Sequence, residues 1–202
     1  MRFDSKDIVG TKGTELKGRR IALCLTGSVA VAKAPEIARE LMRHGAEVHV
    51  FMSPSAQRLI SSTLMEWATG NPVVTEITGA VENVAMCGSH AGKADLVIVA
   101  PATANTIGKI AAGIDDTCVT TLVSTALGAR IPILVAPAMH ESMYNHPLVV
   151  ENIGKLKSIG VLFVGPRVVE GKAKIAGVDE VVESAIRVLR EPNSLRGSGR
   201  QG

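Results

Sequence analysis

Aromatic side chains are nearly missing from this sequence: they make up 2% of its 202 residues, as three Phe, one Trp and one Tyr. Proteins that grip single-stranded nucleic acid stack bases on such rings, so no nucleic-acid partner is expected. Cysteine is scarce too. Cys24, Cys87 and Cys118 stand far apart with no CxxC pair, which excludes a disulfide framework and fits reduced thiols. No apolar run approaches the roughly 20 residues of a membrane span, and no charged–apolar–small leader opens the chain. The expectation is a soluble, cytoplasmic protein without a membrane partner. Metal-ligand spacing is lacking: His140 and His146, with Glu141 between, come nearest, and no metal is expected. A Ser–His–acid triad has no nucleophile elbow to support it. Strong charge is lacking as well. The formal net charge is +3, and residues 1–20 alone supply it, with six Lys/Arg against three acids. The rest of the chain is near neutral, so those residues read as a solvated leader.

What is present is aliphatic. Hydrophobic residues reach 46%, and with so few rings the core must be built from Val, Ile, Leu and Ala. That composition suits a parallel sheet buried on both faces. Apolar runs at 20–26, 46–53, 94–102, 131–139 and 161–166 read as strands. Helical stretches lie between them at 29–44, 105–114, 118–129, 146–160 and 179–190, with a loop after 166. Residues 63–94 read as a short helix, a turn at Gly70-Asn71-Pro72 and a short strand. The βαβα alternation gives the fold class: α/β, a doubly wound parallel sheet in a Rossmann-like or flavodoxin-like three-layer sandwich. Residues 1–18 are read as an N-terminal leader, 19–190 as the domain and 191–202 as a flexible tail.

Ligands of such sheets bind at the carboxyl ends of strands, so the strand ends are where chemistry is sought. The first end is Thr26-Gly27-Ser28-Val29: Gly27 admits a ligand to the backbone, and Ser28 offers a hydroxyl at a helix start. It fits neither GxGxxG nor the P-loop pattern. The second end offers Ser53 and Ser55, either of which also reads as an ordinary helix cap. The third gives Thr103-Ala104-Asn105-Thr106, small residues with an amide and hydroxyls, which suit a flat ligand. The fourth gives Ala138, Met139, His140 and Met143 on a loop, a binding surface or a packed loop with equal weight. Cys87 beside His90 reads better as a flexible segment than as a thiolate pair.

Three motifs carry a resemblance: TGSVA (26–30), PATANTIGKIAAGIDD (101–116) and PAMHESMYNHP (137–147). Over about 16–189 the chain resembles the homo-oligomeric flavin-containing cysteine decarboxylases, in the branch that serves coenzyme A biosynthesis. The second motif is that family's P-x-S-A-N-T with Thr for Ser, and the third its P-A-M-N-x-x-M-W. His140, Tyr144 and EGKAKI (170–175) look like the archaeal branch, in which this unit is the first half of a bifunctional protein whose second half is a synthetase. The resemblance implies FMN as cofactor and 4′-phosphopantothenoylcysteine as substrate. It implies Gly27, Ser28, Val29, Ser53, Ser55, Thr103, Ala104, Asn105, Thr106 and Ala138 against the cofactor, and His140 and Met143 toward the substrate. The implied reaction oxidises the cysteine thiol, loses carbon dioxide from the resulting thioaldehyde, and returns the electrons to yield 4′-phosphopantetheine. The implied assembly is a homotrimer or a dodecamer of trimers, with FMN near subunit interfaces.

The chain departs from the family twice. Asn83, in Asn83-Val84-Ala85-Met86, stands where members carry a catalytic His, and Asn cannot exchange a proton near neutral pH. The expectation is a chain that binds flavin and decarboxylates poorly; His90 is offset from the motif as a replacement. Many members also carry a Cys loop after the last strand; here GPRVVEGKAKIAG (165–177) has none, and Lys172 and Lys174 read equally as substrate contacts and as solvated charges. Two alternatives stay open: a non-catalytic FMN-binding or regulatory subunit, and a flavin prenyltransferase or reductase on the same fold.

Overall fold

The protein is described here from a computed structural model, which covers residues 5–165, 167–169, 172–174 and 176–190, the two short segments by their backbone alone. Among these residues, strands β1 (Arg20–Leu25), β2 (Glu47–Met52), β3 (Val73–Val74), β4 (Leu96–Ala102), β5 (Ile133–Pro137) and β6 (Leu162–Phe163) form one sheet. Its order is β3-β2-β1-β4-β5-β6, and every adjacent pair is parallel. This is the Rossmann order, with the direction of winding reversing between β1 and β4. A separate antiparallel ribbon, β7 (Arg167–Val169) with β8 (Lys172–Lys174), occupies the stretch expected as a loop.

Helices α1 (Ala34–Arg43), α2 (Pro54–Gln57), α3 (Ser62–Thr69), α4 (Glu82–Cys87), α5 (Ala104–Ala112), α6 (Cys118–Gly128), α7 (Glu141–Tyr144), α8 (Pro147–Ser158) and α9 (Val178–Arg190) follow in chain order. Side chains alternate between the sheet's faces. Ile21, Leu23, Val50, Ile98 and Leu134 point toward α1, α3 and α9. Cys24, Phe51, Val97, Val99 and Val135 point toward α5, α6 and α8. Two buried faces explain why the central strands read as unbroken apolar runs.

Two local expectations need correction, and one open choice is settled. The helix expected from residue 29 begins as a 3-10 turn, Val29–Lys33, and becomes α-helical only at Ala34. Pro35 is the cause: it lacks an N–H and its ring excludes the preceding turn, so it sits in the first turn of α1. Val29 is therefore 83% exposed rather than part of the core stripe. At the second strand end Ser53 is the cap; its Oγ accepts from Ala56 N–H at 3.3 Å. And from residue 5 onward the expected leader is packed on the domain. The carbonyls that close α1 have no partners within the helix. Gly10 N–H donates to Met42 C=O, Gly13 N–H to Arg43 C=O and Leu16 N–H to His44 C=O, at 2.9–3.1 Å. Leu16 itself is fully buried. Residues 1–4, the tail at 191–202, and Glu170, Gly171 and Ile175 of the EGKAKI stretch lie outside the described residues.

Candidate active site

A cavity of about 440 Å³ opens at the carboxyl edge of the sheet, over the reversal between β1 and β4. Its floor is tied together by short bonds between strand ends. The buried Thr26 hydroxyl donates to Pro101 C=O at 2.7 Å and accepts from Thr103 N–H at 3.2 Å, which fastens β1 to β4. Ser53 N–H donates to Leu25 C=O at 3.0 Å, and Ala138 N–H to Ala102 C=O at 2.9 Å, bringing the ends of β2 and β5 alongside.

Four helical segments start around this floor. Ser28 caps the 3-10 turn, Ser53 caps α2, Thr103 caps α5 through Thr106 N–H at 3.2 Å, and Thr117 caps α6 through Thr120 N–H at 3.1 Å. Each cap satisfies one free N–H, and the other N–H groups of each first turn have no partner within the helix. Gly27 is required by packing: a Cβ there would lie 2.4 Å from Ser55 Cβ, so any side chain would wedge apart the ends of β1 and β2.

The cavity gathers Gly27, Ser28, Ser53, Ser55, Thr103, Ala104, Asn105, Thr106, Ala138 and Met143 of the residues singled out in the sequence. Val29, Asn83 and His140 do not line it. Val29 projects outward. His140 is exposed, and its Nδ1 accepts from Ser142 N–H at 3.3 Å as the cap of α7. Asn83, on α4, donates from Nδ2 to Thr125 Oγ1 of α6 at 2.8 Å. The side chains of Lys172 and Lys174 lie outside the described residues. Sequence reasoning missed Lys109, Thr117, Val119 and Thr120, the wall supplied by α5 and α6. The IDDT run before a helical stretch was the available signal for Thr117 as a cap.

Electrostatically the lining is hydroxyls, N–H groups and one cation, Lys109, paired with Asp116. No carboxylate lines it, so the cavity suits an anionic ligand with a flat, weakly polar part. The thiols offer no nucleophile. Burial pushes Cys87 up to about 12 and Cys118 up to about 11, and raises Cys24 well above its ordinary value. The pairing of Cys87 with His90 as thiolate and imidazolium is thereby disfavoured. Among the described residues no group of three or more His, Cys, Asp or Glu could hold a metal, and no helix is long and apolar enough to cross a membrane.

Comparison with known proteins gives the same architecture a family. The coenzyme A biosynthesis bifunctional protein CoaBC of Thermococcus kodakarensis is 57% identical over 192 residues, 95% of this chain and 47% of that protein. This chain thus spans about half the length of the curated relatives it matches. Among solved structures, the FMN-dependent cysteine decarboxylase SpaF superposes with a TM-score of 0.74 at 26% identity, covering 87% of this chain and 99% of that one. A His-to-Asn variant of EpiD, complexed with the substrate peptide DSYTC, does so at 0.71 and 25% identity, over 81% of this chain and 96% of that one. A family model described as Flavoprotein matches residues 9–190, from the docked N-terminal segment to the last residue of α9. The chain belongs to the Flavoprotein family.

Proposed function

We propose that this chain binds FMN in the carboxyl-edge cavity and catalyses the decarboxylation of 4′-phosphopantothenoylcysteine to 4′-phosphopantetheine, in the cytoplasm, as a step of coenzyme A biosynthesis. The observation that carries the reading is the cavity: four capped helix starts and a glycine-enforced floor, in a chain 57% identical to a coenzyme A biosynthesis protein. The residues fit the cofactor. Hydroxyls and N–H groups at Ser28, Ser53 and Ser55 match a phosphate, and the small residues Ala104 and Ala138 leave room for a planar ring system.

Bound there, FMN would supply reversible two-electron oxidation of the substrate thiol: the oxidised carbon–sulfur group takes up the electron pair that carbon dioxide leaves behind, and the two electrons return to the product. The chain's own residues do the rest. Thr26 and Gly27 hold the strand ends at a fixed spacing. Met139 and Met143 give the β5 side of the cavity an apolar wall. The family resemblance assigns His140 and Met143 to the substrate; Met143 lines the cavity and His140 stands beside it as the cap of α7, and Lys172 and Lys174 are proposed as further contacts.

Asn83 is the weak point. It is bonded to Thr125 and does not line its own chain's cavity, so it reaches a reaction centre only across a subunit boundary. A homotrimer, or a dodecamer of trimers, with FMN near the interfaces supplies one. Val81 and Val84, exposed beside Asn83 on α4, give that boundary its apolar surface. An amide in the family's His position orients a substrate and does not move its proton. EpiD with Asn for His was solved with its substrate peptide. On this reading the present chain binds substrate and turns it over slowly. A non-catalytic FMN-binding subunit is the second reading, favoured by the same residue. A synthetase domain or subunit is the proposed partner, because the relatives are bifunctional and about twice as long.

The test is anaerobic release of carbon dioxide from phosphopantothenoylcysteine by the FMN-loaded chain and by its Asn83→His variant. Slow release by the chain as given, raised in the variant, supports the reading; release by the variant alone favours the second reading. Activity in neither, with FMN bound to both, favours the non-catalytic subunit. Light scattering that returns a monomer removes the proposed trimer.

A further inference from the structure

Lys109 is the sole ionisable side chain among the described residues that line the cavity. Everything else polar in the lining is a neutral hydroxyl, an amide or a backbone group. Neutral donors accept a hydroxyl or a phosphate with modest preference, whereas a full positive charge separates them strongly. The position of Lys109 is set by two elements. It lies in the second turn of α5, and long helical side chains lean toward the helix N-terminus, here the cavity side. Its Nζ donates to Asp116 Oδ2, in the residue just before Thr117, the cap of α6.

The pair is asymmetric. Lys109 keeps 26% of its side chain exposed and Asp116 48%, so water screens the carboxylate more than the ammonium. One of the three ammonium protons goes to Asp116, which leaves donors for a ligand. The cavity has a matching polarity. Ser53, Ser55, Thr117 and Thr120 border the end nearest β2, where Cys118 at the start of α6 donates to Met52 C=O at 3.3 Å; Ala138, Met139 and Met143 border the end at β5. Lys109 is tied to the hydroxyl end through Asp116, the neighbour of the Thr117 cap.

We infer that Lys109 is the residue that makes this cavity select a phosphorylated flavin over an unphosphorylated one, with Asp116 holding its ammonium in place. The inference rests on the FMN reading above and adds to it the charge that determines specificity. Lys109 is a binding residue for the phosphate, and Asp116 is its positioning residue.

The experiment is titration of the flavin-free full chain with FMN and with riboflavin, read by flavin fluorescence, for the wild type, Lys109→Met, Lys109→Arg and Asp116→Asn. The wild type is expected to prefer FMN and to lose that preference as salt rises. Lys109→Met is expected to bind FMN roughly 10- to 100-fold more weakly. Its riboflavin affinity is expected to stay within about twofold. Lys109→Arg, which keeps a cation, is expected to retain the preference in full, and Asp116→Asn, which keeps the cation and loosens its placement, to retain part of it. Equal losses for both flavins in Lys109→Met, or loss of the preference in both Lys109→Arg and Asp116→Asn, would make the ion pair a structural brace and overturn the inference. A wild type that binds both flavins equally overturns it as well, and leaves the flavin reading standing. A wild type that binds neither removes the FMN reading and this inference together. Should Lys109→Met fail to fold, the wild-type preference, its salt dependence and the two cation-keeping variants decide.

Discussion

The two edges of the sheet use polar groups in opposite ways. At the amino edge charges face each other and close a surface. Glu40 is buried and takes bonds from Lys12 and from Arg43, the latter at 3.0 Å, while His44 Nδ1 meets Glu15 at 2.9 Å. A crevice of about 230 Å³ remains there, and Lys6 on its wall already donates to Asn71 Oδ1 at 2.8 Å. At the carboxyl edge hydroxyls cap helix starts around a cavity of about 440 Å³. The charges of the amino edge spend their bonds on one another, whereas caps satisfy one N–H and leave the next without a partner in the helix, and Lys109 is the lone charge among the described residues of the cavity lining. The comparison teaches that the ligand edge is marked by neutral donors around a void, and the charged edge is where the N-terminal segment is fastened.

The largest way to break this division is Leu16→Ala. Leu16 is fully buried beneath the segment that covers the end of α1, and its truncation is expected to cost about 2–5 kcal/mol. Chemical denaturation should show that loss, while FMN affinity stays near wild type because no cavity residue moves. A parallel collapse of flavin binding would mean that the two edges are one unit. Next comes Gly27→Val, which strikes the other edge. The added Cβ meets Ser55 at 2.4 Å, so the β1 and β2 ends must separate. About 1–3 kcal/mol of stability and nearly all flavin binding should be lost together. Retained binding would show that the floor of the cavity yields.

Glu40 gives a smaller, pH-dependent effect confined to the amino edge. The bond from Lys12 is the main cause that holds its carboxyl below the ordinary 4.5, and Arg43 adds to it. A carboxylate whose pKa is depressed by folding contributes stability above its unfolded pKa, and that contribution disappears as pH falls through the folded value. The wild type should therefore lose part of its resistance to urea below about pH 4.3. Glu40→Gln should be less resistant at neutral pH and show a flatter acid limb. An acid limb as steep in the variant as in the wild type would place the titrating group elsewhere.

Much of this was legible in the sequence because of where it lies. The central strands are buried on both faces, so they stand out as apolar runs, and their ends can be searched for ligand groups without a structure. Gly27, Ser28, Ser53 and Thr103–Thr106 were accessible in that way. Lys109, Thr117 and Thr120 were not. Lys109 sits in a helical stretch where a lysine reads as a solvated face, and its pairing with Asp116, beside the cap of α6, is visible only in the fold. The N-terminal segment was misread for a related reason. Its charges are conspicuous, whereas its docking depends on one leucine and on unpaired carbonyls of a helix elsewhere in the chain. Asn83 was singled out only through the family resemblance; in the fold it bonds to Thr125 and does not line the cavity.

The finest test of the division concerns His90, in the segment between α4 and the amino end of β4. It follows α4, and its ring meets two carbonyl oxygens: Nδ1 to Ala91 at 2.8 Å and Nε2 to Val84 at 3.0 Å. Both nitrogens can donate at once only in the imidazolium form. The bond to Ala91, then that to Val84, accordingly raises the pKa of His90 above its ordinary 6.5. A raised folded pKa contributes stability that is fully present below the unfolded value and is lost as pH rises through the folded one. The loss should be local, because Val84 C=O also accepts from Gly88 N–H at 2.7 Å and the turn that closes α4 is built on it. NMR titration should therefore show the amides of 88–91 shifting with an apparent pKa above 6.5, and His90→Ala should abolish that transition. Flavin affinity should stay constant across the same range, since His90 does not line the cavity. A His90 that titrates at or below its ordinary value would mean that one carbonyl is merely near the ring, and α4 would then carry Asn83 without this clamp.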